Sequence, residues 1–316
     1  MSFGEVFLVI GVFLREDCTQ AVYGTVYKGS VQVVSCESFP SVLAGVSKGD
    51  FQGLVDVFKE VSGKFGVLYD EVYVSLPDSF FSMDCGLYEI QSKEEVPLPF
   101  LAQLLHADLT NYRVVMPFEF PKKTNRILTG CALKKVVIDG VVQAAREAKM
   151  VFALLEPASL SYLRMLSDWQ EEGMVLEVFE KEASIVSYSP IAGAFKISLP
   201  EIAWQRVGEL DSSNFNTAFR KAVTMCDATA QKTFSDLWNV DVPIHIISPY
   251  AKEIQKAISI QKRIVDYGVP TFKSDSFYKR TCFTQHDLTL EKFLEYFVPM
   301  GAVHFPIREV MQRDFD

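Results

Sequence analysis

The chain has 316 residues, a formal charge of −9, and 49% apolar against 22% charged residues, the balance of a globular protein long enough for two cores. The acidic surplus, with no local run of Lys and Arg, excludes a nucleic-acid partner, which would need phosphates neutralised. The six cysteines, Cys18, Cys36, Cys85, Cys131, Cys226 and Cys282, form no C-x-x-C pair, which excludes a zinc ribbon and a disulfide framework and predicts buried thiols in a reducing compartment.

The opening run "EVFLVIGVFL" resembles a leader in hydropathy. Its apolar part is short, however, and Glu5 stands where Lys or Arg would precede one, so it reads as a buried first strand. No later window approaches the ~20 apolar residues of a spanning helix. After polar "REDCTQ" come "AVYGTVYKG", with Lys28-Gly29 as a turn, and "SVQVVSCESF": three strands in a meander. Phe51, Leu54, Val55, Phe58 and Val61 have helical spacing, with Gly63 and Gly66 to end the helix. "VYVSLPDSFF" then ends a strand on Leu76-Pro77. This half-sheet has the order of a ribonuclease-H-like fold.

From Pro77 to about Pro121, prolines 97, 99 and 117 interrupt the pattern and "FLAQLLHADL" is a short amphipathic helix, so a small inserted α+β subdomain is expected there. "RILTGCAL" is a strand. The next helix carries Val137, Val141, Ala144, Ala145 and Ala148 on one face, and is followed by strand "MVFALLEP" and helix "ASLSYLRMLSDWQ". Then the first theme returns. "GMVLEVFE", a turn at Lys181-Glu182, "ASIVSYSP" and "AFKISLP" make a second meander, which indicates an internal duplication. Helix 214–238, strand "VPIHIIS", helix 249–265 and a closing helix 288–305 with a Pro299-Met300-Gly301 break complete the chain. Of the four histidines, His245 lies in a core strand as a structural residue, His106 is at a surface, and no pair has metal spacing.

Two meander-plus-helices halves with an insertion in the first resemble the actin-like ATPase superfamily. Within it, the chain resembles the PilM-type proteins of type IV pilus assembly and the cytoplasmic parts of type II secretion GspL proteins. The stretches that carry the likeness are "VYVSLPDSFF", "TGCALKKVVIDGVVQAAREAKMVFALLEPASLSYLRML", "MVLEVFEKEASIVSYSPIAGAFKISLP" and "FLEYFVPMGAVHF", in that order. The resemblance implies an α/β fold of duplicated actin-like domains with mixed sheets flanked by helices. Its first half would span 1–170, with the insertion at about 77–121. Its second would span 171–316, with a small subdomain at about 200–240.

An active member of that superfamily cradles phosphates on two hairpins rich in small residues, uses an Asp at each to orient Mg²⁺, and leaves a Gly-rich turn for adenine. Here Phe13 stands at the first Asp position and Arg15 at the Gly, with Glu16-Asp17 in place of small hydroxyl residues. In the second hairpin Glu177 replaces the Asp and Phe179 the Gly, with Glu180 and Glu182 adding negative charge. Ser248-Pro249-Tyr250 takes the place of the adenine turn, with Tyr250 expected to fill the base pocket. Bulk and like charge at these points oppose phosphate binding.

The expectation is therefore a pseudo-ATPase with no cofactor. It would be a cytoplasmic scaffold peripheral to the inner membrane that grips the peptide tail of a membrane-anchored, PilN-like subunit, with the assembly ATPase as a further candidate contact. Aromatics anchor such grooves, and Tyr112, Val114, Met116 and Phe118 of "NYRVVMPFEFP" are the candidates. The plainer reading of the 25 phenylalanines is core packing. The alternative function is an active ATP- and Mg-binding PilM-like ATPase or actin-fold kinase. A filament-forming protein is the third.

Overall fold

A computed structural model describes residues 7–27, 30–66, 69–89, 98–121, 125–165, 173–179, 183–189, 193–198, 224, 244–251, 254, 281–283 and 295–304. The chain divides into two compact units: 1–77, 136–167 and 272–316 in one, and 78–135 and 168–271 in the other. The helices expected over 214–238 and 249–265, the subdomain at about 200–240, and the turns at 28–29 and 181–182 lie wholly or largely outside the described residues.

The first unit is built on a six-stranded sheet. Its strands are β1 (Phe7–Leu14), β2 (Cys18–Tyr27), β3 (Ser30–Pro40), β4 (Glu71–Leu76), β8 (Val151–Pro157) and β13 (Thr281–Phe283), in the order β13-β3-β2-β1-β4-β8. The meander β1–β3 is antiparallel, while β4 and β8 run parallel to β1. Both faces are covered: Val9 and Phe13 on one, and Ile10, Val12, Leu14, Val72 and Val74 on the other, are all buried. That accounts for the nearly continuous apolar run of β1 in place of alternation. The edge strand β13 escaped the sequence reading because three residues are too few to show a period.

Helices α1 (Leu43–Ser47) and α2 (Gln52–Phe65) follow the meander, and α2 ends where Gly66 takes a left-handed φ of 68°. Gly63 lies inside the helix. The apolar face expected of α4 (Lys135–Glu147) is buried. Helix α5 (Ala158–Met165) packs against α6 (Phe297–Val303), and α6 lies on β1 and β4. The break expected at Pro299-Met300-Gly301 is absent: all three residues are helical. Pro299 is the third residue of α6, where a backbone N–H has no intrahelical partner and its loss costs little. A Cβ at Gly11 would stand 2.1 Å from the Pro299 carbonyl oxygen, so a glycine in β1 permits this close helix–sheet contact.

The second unit holds a lobe and a sheet. In the lobe, β5 (Ser82–Glu89), β6 (Tyr112–Pro121) and β7 (Asn125–Lys134) form a three-stranded antiparallel sheet in the order β5-β7-β6. Helix α3 (Leu98–Leu104) supplies Leu101 and Ala102 to a core shared with Leu105, Val114, Leu128 and Ala132. The lobe begins where the insertion was expected to begin, but it ends at Lys135 and not near Pro121, because "RILTGCAL" pairs with β5 and β6. The C-terminal stretch from 272, expected in the second half, belongs to the first unit. A four-stranded sheet, β11-β10-β9-β12, comprises β9 (Gly173–Val178), β10 (Ala183–Ser189), β11 (Gly193–Ser198) and β12 (Ile244–Ile247). Its antiparallel meander followed by a parallel strand repeats the plan of β1–β4. Among the described residues no helix is long and apolar enough to cross a membrane.

Candidate functional site

Each unit carries one of the two hairpins. In the first, Phe13 is almost wholly buried, opposite Gln20 on β2 and Ser75 on β4. Ser75 in turn lies opposite Glu156 on β8. Partners across a sheet share a face, so Phe13 interrupts a buried polar row of Gln20, Ser75 and Glu156. Ser75 Oγ is 2.7 Å from Ser161 Oγ, and the Ser161 hydroxyl donates to the Glu156 carboxylate. Burying the Phe13 ring contributes roughly 1.5–3 kcal/mol to this unit, where an isolated carboxylate would oppose folding.

The turn beyond β1 is closed on itself. The Arg15 N–H donates to the Cys18 carbonyl at 2.9 Å, and the Arg15 carbonyl accepts the Ser41 hydroxyl at 2.6 Å. The Arg15 guanidinium makes a two-point bond to Asp17, Nε to Oδ1 and Nη2 to Oδ2, both at 2.9 Å. Cys18, half-buried beside it, has its thiol pKa raised by burial, an effect the Arg15 charge partly offsets. None of Cys18, Cys36, Cys85 and Cys131 is in a disulfide.

In the second hairpin Glu177 and Phe179 are both buried. The Glu177 carboxylate accepts the backbone N–H of Asp78 at 2.7 Å. Asp78 opens a 3-10 turn, Asp78–Phe80, directly after Pro77. On the same face of the sheet Lys196, from β11, donates to the carbonyls of Asp78 and Phe81. The Ala194 N–H donates to Thr129 Oγ1 of β7 at 2.9 Å. Sequence reasoning missed Lys196 and Asp78. The available signals were a lone charge in the strand "GAFKIS" and an Asp immediately after a strand-ending proline.

His245, on β12, is buried as expected of a structural histidine, and burial lowers its pKa to about 4. Ser248, after that strand, accepts the Tyr250 N–H at 3.0 Å in a local turn. Pro249 is exposed and Tyr250 is 36% exposed, so this ring is not enclosed by the packing of its own unit. Of the four groove candidates, Val114 is in the lobe core and Tyr112 packs against it half-buried. Val115, not Val114, faces outward on β6, 48% exposed. Met116 and Phe118 belong to β6 beyond or at an irregularity in its pairing between Val115 and Phe118, and their side chains lie outside the described residues. No group of three or more His, Cys, Asp or Glu among the described residues could hold a metal ion.

No family model matches the chain, and no curated protein matches it. Solved structures do. A chain of a structure described as the "PilM-PilN type IV pilus biogenesis complex" superposes with a TM-score of 0.65 at 11% identity, over 95% of this chain and 98% of that one. The fold is that of the PilM-type actin-like proteins. The cytoplasmic domain of EpsL, from the type II secretion system of Vibrio cholerae, gives a TM-score of 0.44 at 10% identity over 93% and 94% of the two chains. The ethanolamine utilization protein EutJ from Carboxydothermus hydrogenoformans gives 0.43 at 10% identity over 95% and 90%.

A PilM-type actin-like fold implies a nucleotide and Mg²⁺ at the hairpin ends. The described residues there do not fit that group. The backbone N–H and guanidinium of Arg15 are engaged within the turn, and Phe13 presents no oxygen to a metal's water shell. One oxygen of the Glu177 carboxylate, Oε2, is taken by the Asp78 N–H.

Proposed function

We propose that this chain is a non-catalytic cytoplasmic scaffold of a type IV pilus or type II secretion inner-membrane platform, and that it holds the cytoplasmic tail of a membrane-anchored subunit. The observation that carries the reading is the Glu177–Asp78 bond. A carboxylate at the position where the fold would orient a metal is used instead to hold backbone. Arg15, the cation nearest the first turn, is neutralised by Asp17. A fold whose polar hairpin groups serve its own chain is suited to presenting surfaces and not to transferring phosphate, which depends on positioned, available charge.

One solved structure of similar fold is described as a PilM-PilN complex, and this supports a PilN-like partner for the present chain. The lobe of residues 78–135 is the surface we assign to it. Its strand β6 is an edge strand, and β6 carries Tyr112, Met116 and Phe118. An extended peptide that adds a strand to such an edge gains main-chain hydrogen bonds and side-chain pockets together. Calorimetric titration tests the assignment. Mg-ATP is expected to give no binding heat up to about millimolar concentration, and a synthetic tail peptide of the membrane partner to bind in the micromolar range. Tight Mg-ATP binding, abolished by Glu177→Ala, would establish the enzyme reading instead.

A further inference from the structure

Glu177 and Lys196 lie on one face of the four-stranded sheet, on β9 and β11 with β10 between them. Both reach the same 3-10 turn. The anion takes the N–H at its start, and the cation takes the carbonyls of Asp78 and Phe81. The turn is closed by its own Phe81 N–H to Asp78 carbonyl bond at 3.0 Å. The cation thus bridges the two ends of the turn, the Asp78 carbonyl at its start and the Phe81 carbonyl just past its end. A second tie, Ala194 N–H to Thr129 Oγ1, joins β11 to the middle of the lobe's sheet 65 residues away in sequence. Asp78 and Thr129 have no exposed surface and Glu177 has almost none. Charge-assisted bonds in such surroundings are the strong ones, and removing one partner leaves a buried polar group unmet.

We propose that Glu177 and Lys196 are positioning residues: together they clamp the 78–135 lobe onto the four-stranded sheet permanently, with no bound ligand required. This rests on the reading of that lobe as the partner-bearing surface. The clamp makes the lobe's presentation a fixed property of the chain, set by a carboxylate and an ammonium of its own second meander. A small molecule that left these bonds intact would have no differential hold on the lobe, and so could not switch it.

Amide hydrogen exchange at Asp78–Phe81, read residue by residue in the full chain, tests this. In the wild type these amides are expected to exchange at the same slow rate with and without millimolar Mg-ATP. Glu177→Ala and Lys196→Met, neither of which retains the bonding atom, are each expected to speed exchange there about tenfold or more. Amides of β1 and β4 in the other unit should be unchanged, which separates loss of the clamp from general loosening. Lys196→Arg, which retains a donor, should restore most of the protection. The clamp is overturned if Mg-ATP slows exchange at these amides in the wild type, a measurement that needs no variant to fold. It is also overturned if either folded variant exchanges at the wild-type rate. Failure of the wild type to bind the synthetic tail peptide would sink the scaffold reading separately, since the exchange data do not involve the peptide.

Discussion

At the end of β1, a cation and an anion two residues apart close on one another near the surface. At the end of β9, a buried carboxylate reaches a backbone N–H 99 residues away. The two hairpins share a plan, yet one settles its charge locally and the other uses it to hold tertiary structure. The units differ in the same sense. In the first, the closest fit is apolar and steric, helix α6 lying on Gly11 and Phe13 filling the middle of a polar row. In the second, the contact between sheet and lobe is polar, through Glu177, Lys196 and Thr129.

The steric half of that comparison is broken most severely at Gly11. Even an alanine Cβ would meet the Pro299 carbonyl at 2.1 Å, a backbone atom that cannot move without shifting α6. Gly11→Val is expected to cost about 3 kcal/mol or more, at or beyond the usual upper end of overpacking, measured as a fall in the urea midpoint of the first unit. A loss under about 1 kcal/mol would show that α6 is only loosely seated.

Next in size is an effect of acid on the second unit. Burial holds the His245 pKa near 4, against 6.5 for an exposed imidazole. Between those values the unfolded chain binds the proton and the folded one does not, so stability rises with pH across the window. The contribution is fully present above about pH 6.5 and is lost as pH falls towards 4, to an extent of about 3 kcal/mol. Urea titrations at pH 7 and pH 4.5 check it, and His245→Gln should flatten the dependence in this window.

Much of this was legible in advance where a period or a breaker marked it. Both meanders, α2, α4 and the exit at Leu76-Pro77 follow from apolar spacing and from glycine and proline positions. Pro299 misled because a proline halts a helix in its interior but is harmless in its first turn, and the sequence alone does not say where α6 begins. The lobe's end was misplaced because β7 reads equally well as a strand of either sheet. Only the register, Cys85 opposite Thr129 and Val114 opposite Ala132, assigns it. At the candidate site, the loss of Asp and Gly at Phe13, Arg15, Glu177 and Phe179 was visible as residue type. What Glu177 does instead was not, since its partner is a backbone N–H from a distant segment.

The polar half of the comparison is sharpened by truncating Glu177. Glu177→Ala leaves the buried Asp78 N–H without its acceptor and is expected to cost about 2 kcal/mol, seen as a lower midpoint of the second unit. A variant as stable as the wild type would mean that the lobe is held by apolar contact alone.

Arg15→Ala is the matching test in the first hairpin, and the smallest effect. Its bond partner Asp17 has 45% of its side chain exposed, so water and salt screen the pair, and the two residues are already neighbours in the turn. The backbone bonds from Arg15 N–H to Cys18 and from Ser41 to the Arg15 carbonyl do not depend on the side chain. Loss of the guanidinium should therefore change stability by no more than about 0.5 kcal/mol, a shift near the resolution of a chemical melt. The variant's second use is with nucleotide. It removes the nearest cation while freeing the Asp17 carboxylate, so any residual affinity for Mg-ATP at this turn should fall. A gain in affinity would mean that the Arg15 side chain had been covering backbone donors, and that the first hairpin is masked and not dismantled.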